Sequence, residues 1–290
     1  MDSETLYKTY QPFLFSIAYR MLGSVTDAED IVHDLFLELK IDTSQVHNVQ
    51  AYLAKIVTNR CLNYLNSARH KRELYIGPWL PEPVVSSQHQ PLNMVIEDEN
   101  VSYAFLVLME RLSPLERAVF VLREAFSYHY KDIAGVLDKS EANCRKIYSR
   151  AKQKLQNDVP VPFPLQNTER VISLTKSFIE AAKTGDVEKF LDVLAEDVVI
   201  ITDGGGKVPA ALYPVVSKHR VLAFLTGVIN KTGIEGELLT VIVNGQQGIL
   251  QVHDGRPIRV VCFELDSDQE KIKRIYIVLN PEKLTHISVP

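Results

Sequence analysis

A change of hydrophobic rhythm at Pro160, Pro162 and Pro164 constrains this 290-residue chain more than any other feature. Before those prolines, apolar residues recur every three or four positions, the period of a helix with one buried stripe. After them come β-branched runs divided by glycine turns, the marks of strands. A second break lies upstream. Residues 76 to 100 hold Pro78, Pro81, Pro83 and Pro91 and the acids Glu82, Glu97, Asp98 and Glu99 with no Lys or Arg, which reads as a linker. The expected organisation is therefore a helical module over 1–75, a linker over 76–100, a second helical module over 101–157 and a third domain over 168–290. A chain of this length can form several separate cores.

Charge sorts the segments further. The whole chain carries a net charge of −4, so a nucleic-acid surface has to be local. Residues 101–157 hold ten Lys/Arg against six Asp/Glu, a net of +4, whereas 1–75 stand at −1 and 168–290 at −2. A phosphate backbone is sought first on the second helical module. Cys61, Cys144 and Cys262 lie far apart with no C-x-x-C pair, which speaks against a disulfide framework and a zinc site and fits a reducing cytoplasm. The N-terminus has no apolar run of a signal peptide, and no stretch approaches bilayer length. A cytoplasmic protein with no membrane partner and no cofactor is expected.

In the first module, Leu14, Ile17, Ala18, Met21 and Leu22 form one stripe, and Gly23 ends the helix. Thr26 with Glu29 reads as a capping box opening a second helix. Its stripe is Ala28, Ile31, Val32, Leu35, Phe36 and Leu39; its other face is acidic, with Asp27, Asp30, Asp34 and Glu38. A third helix turns Asn59, Arg60, Asn63 and Asn66 outward and runs into Arg69, His70, Lys71 and Arg72. Taken alone this is a three-helix bundle with solvated faces. The asparagine face ending in cations also suits DNA, since amides read base edges and cations hold phosphates.

The second module opens more sharply. Ser113-Pro114-Leu115-Glu116 places a hydroxyl cap, a proline at the first helical position and a carboxylate at the third. Tyr130 to Leu137 reads as a short helix, Asp138-Lys139-Ser140 as a turn, and Ser140 as the start of a longer helix. Cys144, Ile147, Ala151 and Leu155 form its inner seam. Glu141, Asn143, Arg145, Lys146, Ser149, Arg150 and Lys152 face out. Short helix, turn and basic helix make a helix-turn-helix, whose second helix enters the major groove. The plain alternative is a helical hairpin with a cationic solvent face.

The two modules together resemble a known family. Tyr19-Arg20-Met21-Leu22-Gly23, followed by Asp27-Ala28-Glu29-Asp30-Ile31-Val32-His33-Asp34, is similar to the polymerase-binding helices of sigma region 2. Ala51-Tyr52-Leu53 through Asn59-Arg60-Cys61-Leu62-Asn63 resembles the helix that melts and reads the −10 element. Leu112 to Glu124, Ile133-Ala134 and Lys139 to Arg145 resemble sigma region 4, which binds the −35 element. Two modules with only a linker between them match the extracytoplasmic-function sigma factors. Trp79-Leu80-Pro81-Glu82-Pro83, Asp203-Gly204-Gly205-Gly206-Lys207 and Asn280-Pro281-Glu282-Lys283-Leu284 resemble three motifs of a subgroup with a fused SnoaL-like domain. The resemblance implies core RNA polymerase and promoter DNA as partners, and regulation by the chain's own C-terminal domain. It implies polymerase contacts at Asp27, Asp30, Asp34, Leu35 and Glu38. It implies −10 contacts from Asn59, Arg60, Asn63, Asn66, Arg69, Lys71 and Arg72, and −35 contacts from the outward residues Glu141 to Lys152.

The third domain reads as α-α-β-α-β-β-β-β. Its helices fall around Leu174 to Ala182, Phe190 to Leu194 and Ser217 to Ile229. Its strands are Val198–Thr202, Leu238–Val243, Gly248–His253, Pro257–Leu265 and Lys273–Leu279. The order suits an α+β sheet wrapped on helices and resembles the cone-shaped SnoaL-like fold, giving a multidomain chain with two all-α domains and one α+β domain. Asp203 and His253 are the candidates for a general base, against the simpler readings of Asp203 as a turn brace paired with Lys207 and His253 as exposed or core. Catalysis ranks below a pocket for a small-molecule ligand. Trp79, Pro81, Asp203, Gly204, Gly205, Gly206, Lys207, Asn280, Pro281 and Lys283 are expected to join the linker to this domain and so fix the spacing of the two DNA-reading modules. Two rival functions stay open: a conventional helix-turn-helix regulator, and an enzyme in the third domain.

Overall fold

The computed structural model describes residues 3–39, 46, 48–86, 102–156, 168–186, 188–232 and 235–289. They fall into two compact units. A helical unit draws on Met1–Glu73 and Phe105–Pro164, and a sheet unit on Leu74–Asn93, Asn100–Ala104 and Leu165–Pro290. Pro91, Glu97, Asp98, Glu99, Pro160, Pro162 and Pro164 lie outside the described residues.

Three helices open the chain: α1 (Ser3–Leu22), α2 (Val25–Glu38) and α3 (Val49–Glu73). Leu14, Ile17, Ala18, Met21 and Leu22 of the expected stripe are all fully buried. Each large apolar side chain so placed contributes about 1.5–3 kcal/mol. Gly23 sits at φ 67° and donates its N–H to Tyr19 O at 2.8 Å, which stops α1 within one residue. That abrupt stop moves the next cap. Ser24, not Thr26, takes the extended N-cap conformation and accepts from Asp27 N at 3.1 Å, while Thr26 is exposed on the first turn.

The later helices are α4 (Tyr103–Met109), α5 (Pro114–Glu124), α6 (Tyr130–Leu137) and α7 (Glu141–Gln156). The Ser113–Glu116 capping box is present in both directions. Asp138 closes α6 in the left-handed conformation at φ 50°, and Ser140 accepts from Asn143 N at 3.3 Å to open α7. Cys144, Ile147, Ala151 and Leu155 are buried, as the seam requires. Inside the helical unit α5 packs on α7, α1 and α3, and α6 packs on α3. No helix among the described residues is long and apolar enough to cross a membrane.

The sheet unit holds α8 (Thr168–Thr184), α9 (Glu188–Leu191), β1 (Leu194–Asp203), β2 (Val215–Val216), α10 (Lys218–Thr232), β3 (Glu237–Val243), β4 (Gln246–His253), β5 (Arg256–Leu265) and β6 (Ile272–Val278), then a 3-10 turn at Pro281–Lys283. The spatial order is β2-β1-β6-β5-β4-β3, with only β1 and β6 parallel. The expected α+β arrangement is met, with the two-residue β2 as an addition too short to leave a sequence pattern. Asn244-Gly245 and Asp254-Gly255 both carry positive φ at each central residue, the type I′ turn whose twist matches a two-residue hairpin. α8 packs on β4 and α10 on β1, burying Leu174, Val221, Ile249, Val261, Phe263 and Ile275 between helices and sheet.

One segment of the expected linker belongs to this sheet. Val85 bridges Val243, Ser86 N donates to Ile242 O at 2.9 Å, and Asn244 N donates to Val84 O at 2.9 Å. The outer edge of β3 is thereby partly covered, satisfying backbone groups that an open edge would leave as a pairing template.

Candidate functional site: a helix-turn-helix and a buried ionic centre

The outer face of α7 is built as the sequence predicts. Glu141, Asn143, Arg145, Lys146, Ser149 and Arg150 are exposed and Lys152 is half-buried, over a seam with no solvent access. Arg145 pairs with Glu141 and stacks 4.7 Å over the Tyr130 ring, so its guanidinium is held in place at the start of the helix. Tyr148 donates to Glu124 Oε1 at 2.6 Å; burial, then that carboxylate, holds its phenol well above the usual range. The result is a helix presenting donors and one acid along one exposed face.

The asparagine face of α3 is divided. Asn63 and Asn66 are exposed, while Asn59 and Arg60 are half-buried. Asn59 Nδ2 donates to Val136 O at 3.3 Å, and Lys55 Nζ meets Asp138 Oδ1 at 2.7 Å. Both bonds join α3 to the short helix and turn of the helix-turn-helix. Arg60 pairs with Glu38 of α2 at 2.5 Å. Arg69, Lys71 and Arg72 fall in the last turns of α3, with side chains outside the described residues. On α2, Asp30, Asp34 and Glu38 are exposed and Asp27 is half-buried. Leu35 corrects the expectation. At 1% exposure it lies in the inner stripe with Ala28 and Val32, because its position is set by the helical period, and it has no surface to offer a partner.

Periodicity could not have revealed what binds the two modules of the helical unit. Arg117 on α5, 3% exposed, donates to Met21 O and Glu110 Oε1, each at 2.7 Å. Arg20 on α1 is buried, bonded to Ser16 and placed 4.8 Å over the Phe126 ring. Phe126 also meets Phe13 edge to face at 5.4 Å.

In the sheet unit, the predicted motifs meet around Asp203, which has no solvent exposure. Its Oδ1 accepts from Tyr75 OH at 2.5 Å and Gly205 N at 3.0 Å, its Oδ2 from Leu80 N at 2.8 Å and Lys283 Nζ at 2.8 Å. Its own carbonyl accepts from Leu279 N and Asn280 N. Lys283 Nζ also donates to Leu80 O and lies 3.9 Å from the Trp79 ring centroid. Asn280 Nδ2 donates to Tyr75 OH at 2.9 Å. Tyr103 OH donates to Pro81 O at 2.7 Å, and His286 Nε2 meets Pro83 O at 2.9 Å. Burial first, and the Asp203 carboxylate next, hold the Tyr75 phenol well above its usual range.

This arrangement settles several expectations about single residues. Lys207 pairs with Glu282 at 2.9 Å, not with Asp203, whose partner is Lys283. Lys207 follows the glycine turn and points to the rim, whereas the 3-10 turn opened by Asn280 and Pro281 aims Lys283 inward. Gly205 and Gly206 have φ of 57° and 70°, and a Cβ there would meet Asn280 Nδ2 at 2.3 Å and Ile76 Cδ1 at 2.8 Å. A Cβ on Gly204 would meet Val208 O at 2.5 Å. Trp79 is half-buried, with the Lys283 ammonium covering one face of its ring. Asp203, with four donors on its two oxygens and no exposure, has no lone pair free to take a proton from a substrate. His253 sits beside the Asp254-Gly255 turn, 43% exposed and 3.6 Å from Asp254. Tyr75, absent from the sequence reading, is the missed member; a single aromatic before a glycine gives no periodic signal.

The family model for sigma-70 region 2 matches residues 6–71, and that for sigma-70 region 4 matches residues 102–155. The ECF RNA polymerase sigma factor SigJ of Mycobacterium tuberculosis is 31% identical, over 96% of this chain and 92% of that protein. The probable ECF RNA polymerase sigma factor SigI of the same species is 30% identical over 65% of each chain. The crystal structure of the M. tuberculosis extracytoplasmic function sigma factor SigJ superposes with a TM-score of 0.79 at 28% identity, covering 97% of this chain and 98% of that one.

Proposed function

We propose that this chain, which belongs to the extracytoplasmic-function RNA polymerase sigma factors, opens its promoter-reading helical unit only when polymerase and promoter compete for the surfaces it now keeps together. As a sigma factor it directs core RNA polymerase to promoters and starts transcription. In this reading Asp27, Asp30, Asp34 and Glu38 on α2 dock on the polymerase. Asn59, Arg60, Asn63 and Asn66, with Arg69, Lys71 and Arg72, take the −10 strand. Asn143, Arg145, Lys146 and Ser149 reach base edges at the −35 element, and Arg150 and Lys152 hold phosphates. Leu35 supports the α2 surface from inside. Promoter recognition takes place in the cytoplasm.

One observation carries the closed-state part. Asn59, one of the residues expected to contact the −10 strand, donates an amide N–H to Val136 O of the helix-turn-helix. A base extruded from the stack costs a few kcal/mol, which pocket contacts have to offset. Releasing α6 frees that N–H of Asn59 for such a base. The Asp203 centre supports regulation in the same chain: it takes residues from the segment between the two sigma modules and fixes them to the third domain. Release of Tyr75, Trp79 and Leu80 from Asp203 and Lys283 lengthens the free tether between the modules. The third domain acts as a regulator and not as a catalyst, since its buried aspartate has no free lone pair.

Run-off transcription with purified core polymerase tests the reading. The full chain is expected to yield promoter-dependent transcript, and Arg145→Ala to weaken promoter engagement by roughly 1–3 kcal/mol. Tight binding of the free chain to duplex promoter, undiminished without polymerase and with no transcript, would favour a conventional regulator instead.

A further inference from the structure

The sheet unit encloses a cavity of about 530 Å³, within the roughly 300–1,000 Å³ range of small-molecule sites. Its walls are mostly apolar, from Phe178, Phe224, Leu238, Ile249, Val261 and Ile277. Among the described residues that line it are two cations, Arg259 and Lys231, and no carboxylate. Gln251 stands opposite Arg259 in the β4–β5 register, and Ile249 stands opposite Val261. Residues two apart on a strand share a face, so all four project from one side of the sheet.

The polar pair is incompletely bonded by the protein. Gln251, 2% exposed, donates through Nε2 to Glu235 O at 2.7 Å, while its Oε1 is buried with no partner. Arg259 Nε is likewise buried with no partner. Burial pulls the Arg259 guanidinium below its usual value, with no neighbouring acid to offset the effect. A half-buried cation whose Nε is sealed off without a partner beside an apolar chamber is a costly arrangement that an anionic occupant relieves. Thr202, the hydroxyl in the same wall, already exchanges bonds with Ala211 N and O, so it makes no comparable demand.

We infer that this cavity binds an amphipathic organic anion: an apolar ring or chain whose carboxylate or sulfonate head accepts from Arg259, and whose N–H or O–H donates to Gln251 Oε1. The apolar body fills the space between α8, α10 and the sheet, and exposed Lys231 draws the anion to the mouth. The assignment rests on reading the third domain as a sensing module, and it leaves the Asp203 centre, which does not line the cavity, to its structural role.

Fluorescence titration of the full chain with two probes decides the matter. Anilinonaphthalene sulfonate carries both the anionic head and an N–H; N-phenylnaphthylamine has the same rings and N–H without the anion. Saturable one-to-one binding is expected, with Arg259→Gln weakening the sulfonate probe by about tenfold or more and the neutral probe by less than about twofold. Gln251→Leu is expected to weaken both probes. Gly227→Phe, on α10 where an added Cβ meets open space, is expected to block both. Sulfonate binding that is non-saturable, or unchanged by Arg259→Gln and by Gly227→Phe, would overturn the site. Run-off transcription with saturating probe separates the two layers. A transcript unchanged relative to the Arg259→Gln chain, alongside Arg259-dependent binding, retains the site and removes the sensing role.

Discussion

The start of α5 and the Asp203 centre are both polar knots tied around one carboxylate, and they are tied over different distances. Glu116 takes the N–H and hydroxyl of Ser113, three residues away, and adds Lys154 at 2.7 Å from across the helical unit. Asp203 takes only one nearby donor, Gly205 N; its other partners are Tyr75, Leu80 and Lys283, separated by 128, 123 and 80 residues. The Ser113 part of the first knot forms as soon as one helix forms, and only Lys154 waits for α7. The second exists only when the linker, β1 and the C-terminal turn are all in place. A local knot sets where a helix begins, whereas a long-range knot reports whether a whole domain is assembled.

The largest expected effect breaks the long-range knot. Asp203→Ala strands the Lys283 ammonium in a buried site and is expected to cost about 3–5 kcal/mol in the sheet unit. Urea unfolding followed by fluorescence measures it directly, because Trp79 is the sole tryptophan of the chain and lies against Lys283. A loss below about 1 kcal/mol would show the centre to be wet and weak, erasing the contrast.

Next comes the local knot. Ser113→Ala removes one cap and is expected to cost about 1 kcal/mol, seen in far-ultraviolet ellipticity and not in Trp79 fluorescence. A shift of both signals together would show that the two units unfold as one. A smaller effect is expected from Asp138→Gly, which keeps the left-handed residue but removes the exposed pair with Lys55. The change is about 0.2–1 kcal/mol, read as a modest gain in run-off transcript if α6 holds α3 closed. Unchanged transcript would confine that pair to the surface.

The smallest effect is a pH dependence of the helical unit. Burial alone would raise the Glu116 carboxyl, but Lys154 and Ser113 outweigh it and hold the folded value below the ordinary one. Its contribution is therefore present above the unfolded carboxylate value, near 4.3, and is lost as pH falls through the lower folded value. Glu116→Gln should flatten the ellipticity midpoint between about pH 5 and 3; an unaltered slope would assign that acid sensitivity to other carboxylates.

The comparison explains what a reader of the sequence can and cannot recover. The α6–turn–α7 unit and the Ser113 cap were legible because each is specified within four residues or one helical period. The α2 cap was misplaced by two residues because α1 stops at Gly23, in the left-handed conformation, and Ser24 directly after it takes the extended cap position. Linker and third domain were linked by motif resemblance, but the pairing of Lys207 with Glu282 and of Lys283 with Asp203 was not legible, since proximity along the chain favours Lys207 for that acid over Lys283, 80 residues away. Nor could spacing reveal that Asn59 faces Val136, or that Gln251 and Arg259 share an apolar chamber.

Order along the chain, the two helical modules, the α+β third domain and the basic outer face of α7 were set by the sequence alone, because period, caps and turn residues act over a few positions of backbone. Which ions pair, which polar side chains of α3 are engaged and where a cavity remains were decided by the tertiary structure. Those outcomes depend on separations through space, and burial there leaves each polar group only the partners that packing brings within reach.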